Sequence, residues 1–118
     1  MVTTAATGLQ ITTAWLIEKQ ACSEGVAWFR AHFGDAAEYQ VVLNALARDA
    51  KVGWAEWLIK EVGPIKTVTK LSGQVHIEGH LFIGGSLEVE EGLTVTGYVL
   101  AGSGIKAGWG IEAGWGIE

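Results

Sequence analysis

The chain contains one cysteine, one proline and few charges, and each scarcity excludes something. A single thiol, Cys22, rules out an internal disulfide, so the fold must rest on packing, and a reducing cytoplasm is the expected setting. Charged residues make up 18% and hydrophobic residues 49%, which is not the composition of a disordered chain. Basic residues are fewest in the second half: residues 1–68 hold seven acids against six bases, a net of −1, and residues 69–118 hold six against two, a net of −4. That balance argues against nucleic acid as a partner, because binding it requires a basic surface that displaces counterions. No apolar run approaches the roughly 20 residues that span a bilayer. Met1 to Gln10 has neither a basic nor an apolar signal region, so a cytoplasmic location without membrane association is expected. P-loop, dinucleotide and nucleophile-elbow motifs are missing too, because no helical pattern follows Gly102-Ser103-Gly104.

Glycine is plentiful, with seventeen residues, and most of them fall into a repeat of six. With Val75 as position one, that position reads Val75, Leu81, Leu87, Leu93, Val99, Ile105, Ile111 and Ile117. Position three, begun one hexad earlier, reads Leu71, Ile77, Ile83, Val89, Val95, Ala101, Ala107 and Ala113. Position two is mostly polar (His76, Glu88, Thr94, Lys106, Glu112, Glu118), with Phe82 and Leu100 as departures, and positions four to six carry the glycines. Two aliphatics at i and i+2 face one side of a strand, and the glycines allow the chain to turn after it. Strand and turn at a fixed period build a coil of parallel strands, each burying its aliphatic ladder on the next. Because six is a multiple of two, the same stretch also fits long strands with one apolar face, a glycine-rich antiparallel sheet of weakly fixed register. The solenoid is the preferred reading, since every hexad has its own turn residue.

Pro64, the one proline, divides the chain into a helical module, residues 1–63, and a hexad-repeat region, residues 64–118. In the module, Ser23 to His32 reads as a helix stopped by Gly34, with Val26, Phe29 and Phe33 on one face. Asp35-Ala-Ala-Glu38 has the spacing of a capping box opening a second helix with Tyr39, Val42, Leu43 and Leu46. Gly53 to Val62 is a third, with Trp54, Trp57, Leu58 and Val62 on one face; Thr13 to Lys19 leans to helix. So small a unit is marginal alone and is expected to cover one end of the solenoid, with Ile65 to Thr69 as the junction.

Several residues are candidates for function. Trp109 and Trp115 occupy position five, where earlier hexads have Gly73, Gly79, Gly85 and Gly97, while Ala107 and Ala113 replace larger residues at position three. The indoles can fold over the alanines as core, or stand out as an aromatic ladder for a partner. Glu112, Tyr98 and Phe82 complete the candidate interaction set. His76, Glu78 and His80 alternate as metal ligands on an unbroken strand would, but a turn near Gly79 would separate them, so no metal or other cofactor is expected. Cys22, with His32 as the only histidine of its half, forms a conceivable pair, though a small buried hydrophobe is the simpler reading.

The hexads resemble those of β-solenoid proteins, a group that includes hexapeptide-repeat acyltransferases and the polymer-forming bactofilins. Two aliphatics per hexad and the lack of a long histidine-bearing loop depart from the acyltransferase pattern. Ala21-Cys-Ser-Glu-Gly-Val-Ala-Trp-Phe-Arg30 and Trp54-Ala-Glu-Trp-Leu58 are similar to a helical module of uncharacterised bacterial and phage proteins with glycine-rich tails. Small acidic proteins of mobile elements include anti-CRISPR proteins, and that resemblance implies an inhibitor of a bacterial defence complex. The sequence therefore predicts an α+β fold, a small helical unit followed by a short glycine-rich β-solenoid. Its expected role is that of a non-enzymatic module binding a protein partner. The alternative is a structural solenoid that self-associates as a homo-oligomer, in dimers or filaments, through a C-terminal end that stops two residues into a hexad.

Overall fold

A computed structural model of the protein describes residues 6–108 and 110–117. Four helices come first: α1 (Thr13–Glu18), α2 (Ser23–Phe33), α3 (Tyr39–Arg48) and α4 (Val52–Val62). Two short strands, β1 (Gln10–Thr12) and β2 (Ala36–Glu38), pair antiparallel among them. Nine strands follow: β3 (Val68–Leu71), β4 (Val75–Ile77), β5 (Leu81–Ile83), β6 (Ser86–Val89), β7 (Gly92–Val95), β8 (Tyr98–Ala101), β9 (Gly104–Ala107), β10 (Gly110–Ala113) and β11 (Gly116–Ile117).

Local signals account for most helix limits. Thr12 caps α1 by accepting from the Trp15 amide, and Gly34 and Gly63 stop α2 and α4 with φ of 77° and 78°. α1 and α3 end differently, in paired turns on non-glycine residues: Gln20 and Ala50 take φ of 64° and 57°. Their following amides, Ala21 and Lys51, reach back to the Leu16 and Leu46 carbonyls at 2.9 Å. The second helix starts later than the Asp35 capping box predicts. Residues 36–38 pair with residues 10–12 instead, which satisfies their backbone in a ladder, and Glu38 becomes the N-cap, accepting from the Gln40 amide at 3.0 Å.

In the repeat region every strand pair is parallel with an offset of three hexads: Val68 faces Ser86, which faces Gly104; Val75 faces Leu93 and Leu81 faces Val99. Each coil is thus three strands, one per side, and three sheets result, β3-β6-β9, β4-β7-β10 and β5-β8-β11. This is a short three-sided solenoid; the antiparallel sheet is excluded by the pairing. Positions one and three face inward, and the middle coil is sealed, with Leu87 and Val99 at 0% exposure.

The helical module lies on a side of the solenoid, not over an end as expected. α3 packs on β5, and α4 on β8. The reason is visible at position two. The outward residues of the other two sides are Lys70, Glu88 and Lys106, and His76, Thr94 and Glu112, whereas β5 and β8 present Phe82 and Leu100. Both are buried in one cluster with Phe29, Tyr39, Leu43, Ala55 and Leu58. Burying two such side chains stabilises the docked arrangement by about 1.5–3 kcal/mol apiece. Gln40 fixes the alignment: its amide nitrogen donates to the Phe82 carbonyl at 2.7 Å, and its amide oxygen accepts from the Gly84 N–H at 2.8 Å. Gly84 is needed here, because a Cβ would meet the Tyr39 ring at 2.8 Å. The Tyr39 hydroxyl is buried and has no hydrogen-bond partner among the described residues, and burial pushes its pKa up.

Candidate functional site

At the corner where the chain enters the β5-β8-β11 side, four aromatic rings converge. His80 precedes β5 and Tyr98 opens β8, one coil apart at the same hexad position. The His80 ring stacks on Phe82, with centroids 5.5 Å apart and planes 18° apart, and lies in the same stacked orientation 6.1 Å from Tyr98. Trp115 closes the group edge-on, 4.9 Å from His80 and 5.7 Å from Tyr98. Such edge-to-face packing orients an indole beyond what area alone would do.

The backbone fixes the imidazole. The Tyr98 N–H donates to His80 Nδ1 at 2.9 Å, which assigns the ring proton of the neutral form to Nε2. Burial holds the His80 pKa below its ordinary value. Gly97 makes room for this arrangement, since a Cβ there would collide with His80 Nδ1. Trp115 remains 63% exposed although two rings fix its orientation. Its ring rests on this corner and not on the alanine ladder, so for Trp115 the core-filling reading is excluded.

The other candidates are placed as follows. Phe82 is 1% exposed under the helical module, so it supports the corner from beneath and cannot be a contact residue. Tyr98 is half-buried beside His80. Glu112 is exposed on the β4-β7-β10 side, in line with Thr94 and His76. Trp109 lies outside the described residues. Gly79, with φ of 100°, turns the chain between Glu78 and His80. His76 and Glu78 are both exposed, and only His80 folds into the aromatic corner; no three histidine, cysteine, aspartate or glutamate side chains among the described residues are grouped to hold a metal.

In the helical module Cys22 is exposed at the start of α2, which corrects the reading of a buried thiol. His32 does not approach it. Its Nδ1 faces the Trp28 carbonyl at 2.9 Å and its Nε2 faces Asp49 Oδ2 at 3.3 Å, while Asp49 also accepts from the Trp28 indole. Sequence reasoning did not anticipate His80 as the centre of the corner. The available signal was that His80 and Tyr98, like Phe82 and Leu100, stand 18 residues apart.

Residues 7–62 match the family model of the YdhT N-terminal domain, a stretch that covers the four helices and ends with α4. Neither curated proteins nor solved structures provide a match. No helix among the described residues is long and apolar enough to cross a membrane.

Proposed function

We propose that the protein is a non-enzymatic protein-binding module whose contact point is the aromatic corner, and that its partner presents a cationic surface. The observation that carries this is Trp115: a large indole held by two neighbouring rings, yet 63% exposed. Exposed, pre-oriented tryptophans serve as interface anchors because little side-chain entropy is lost when they are covered. The repeat region carries six acids against two bases, and Glu112 lies on the strand before Trp115, so a positively charged partner is favoured. An inhibitor of a bacterial defence complex is one module of this description.

The test is affinity capture from bacterial lysate with wild type, Trp115→Ala and His76→Ala, each checked for unchanged circular dichroism. Loss of an interface tryptophan costs about 2 kcal/mol or more, roughly thirtyfold in affinity. A basic protein released by salt, retained by His76→Ala and lost with Trp115→Ala, is the expected result. Capture that is indifferent to Trp115 would overturn the assignment. Light scattering that shows a dimer dissolved by Trp115→Ala would identify a second copy of the chain as the occupant instead.

A further inference from the structure

Between α1, α2, α3 and α4 the helical module forms an apolar cavity of about 320 Å³ that opens to solvent on one side. Ile11, Leu16, Phe29, Val42, Leu46 and Leu58 form its floor and sides, and Trp28, Trp54 and Trp57 stand around it. Gln20 and Cys22, both exposed, are the polar groups on its lining. No carboxylate, ammonium or guanidinium lines it.

A hollow of this size would normally shrink as side chains lean in, since empty apolar space forfeits packing energy. Here each indole is held from outside. Trp28 donates its N–H to Asp49 at 2.9 Å; Lys51 Nζ sits 4.9 Å from the Trp54 ring centroid; Trp57 packs edge-on against Trp15 at 6.3 Å. Trp28 and Trp54 also meet edge-on at 6.1 Å. The indoles are therefore positioned by contacts that lie outside the cavity. Gly25 contributes to the space directly: a Cβ there would come within 3.3 Å of Cys22 Sγ and 3.9 Å of the Trp54 ring, so a longer side chain would enter the hollow.

We infer that this cavity is a binding site for a small, uncharged, bicyclic aromatic molecule. An apolar cavity of roughly 150 Å³ accepts benzene, so one twice as large suits two fused rings. Aromatic walls favour a flat π-system, and the lack of charge in the lining disfavours an ionised ligand, whose desolvation nothing would offset. Gln20 and the thiol at the mouth can meet one polar edge. The site is separate from the aromatic corner and does not depend on the partner proposed for it.

Free indole serves as the probe, and Cys22 as a built-in reporter, because it is the only cysteine and lines the cavity. At an indole concentration about ten times its Kd, alkylation of Cys22 by N-ethylmaleimide should slow about tenfold. In spectra of the nitrogen-15-labelled protein, the indole N–H signals of Trp54 and Trp57 should shift along one saturating curve while that of Trp115 stays in place. Gly25→Leu, which fills the hollow, should abolish both effects. Gly25→Ala, which adds one methyl, should retain them and controls for the helix. Indole-3-acetate should protect at least about tenfold more weakly, as expected for an uncompensated charge. Unchanged alkylation with unmoved Trp54 and Trp57 signals would overturn the inference, and so would a Trp115 shift as large as theirs, which marks unspecific stacking. Should Gly25→Leu fail to fold, the wild-type alkylation rate and spectra decide alone.

Discussion

Two sides of the same solenoid, built from the same hexad, meet opposite fates. The β4-β7-β10 side presents His76, Thr94 and Glu112 outward and stays bare, whereas on the β5-β8-β11 side β5 and β8 present Phe82 and Leu100, which α3 and α4 cover. In the middle coil the inward ladders do not distinguish them, since Leu93 and Val95 of one and Val99 of the other are equally buried. Position two, the residue that the coil itself does not need, decides where the helical module attaches. A repeat thus separates two tasks: positions one and three build the coil, and position two assigns each side a surface.

The strongest way to break this comparison is to remove the anchor of the covered side. Phe82→Ala should cost about 3–5 kcal/mol, the usual range for a phenylalanine lost from a core. His76→Ala, at the same hexad position on the bare side, should stay within about 0.5 kcal/mol. Urea unfolding followed by tryptophan fluorescence measures both. Equal effects would mean that the module does not depend on the covered side. Phe82→Ala should also loosen His80, which stacks on that ring, so the same change is expected to disturb the aromatic corner.

The hexad was legible because its apolar residues are strictly periodic, and α2 and α4 were legible from their apolar spacing and their glycine stops, Gly34 and Gly63. Three features were not. The second helix begins at Tyr39 because Ala36–Glu38 pairs with Gln10–Thr12, a contact across 26 residues that no local pattern announces. Gln20 and Ala50 end helices in conformations usually reserved for glycine, so neither reads as a stop. The coil length of three hexads is masked in the inward ladder, where every hexad looks alike. It is written instead in the departures: Phe82 and Leu100, His80 and Tyr98, and the alternating charges Lys70, Glu88 and Lys106, all spaced by 18 residues. Side attachment of the module follows from the first of these pairs. The aromatic corner follows from the second, though its geometry also needs Gly97, whose value lies in what it leaves empty.

A smaller effect, of opposite sign, tests whether the covered side is held by apolar contact or by polar pairing. Tyr39 is fully buried over Gly84, and its hydroxyl is unpaired among the described residues. A buried hydroxyl without a partner costs about 1–3 kcal/mol, part of which is returned as packing when the oxygen is present. Tyr39→Phe should therefore raise stability by about 1 kcal/mol, read as a higher urea midpoint with unchanged slope. A loss of similar size would show that the hydroxyl is paired and that the interface depends on it.

The smallest effect separates the covered side from the corner beside it. His80 is partly shielded, and burial holds its pKa below the ordinary histidine value. In addition, its Nδ1 already accepts from the Tyr98 N–H, so a proton placed there would face a donor. Because the folded-state pKa is the lower one, the unfolded chain binds more protons between the two values. The contribution of neutral His80 is therefore complete above the unfolded value of about 6.5 and is lost as pH falls from there through the folded value. Wild type should lose stability more steeply than His80→Asn as pH falls below about 6.5, a comparison in which the carboxylates are common to both. Over the same interval Trp115 emission should change in wild type as its indole loses the ordered imidazole edge 4.9 Å away. Identical slopes with unchanged Trp115 emission would place the titrating imidazole outside the corner's packing.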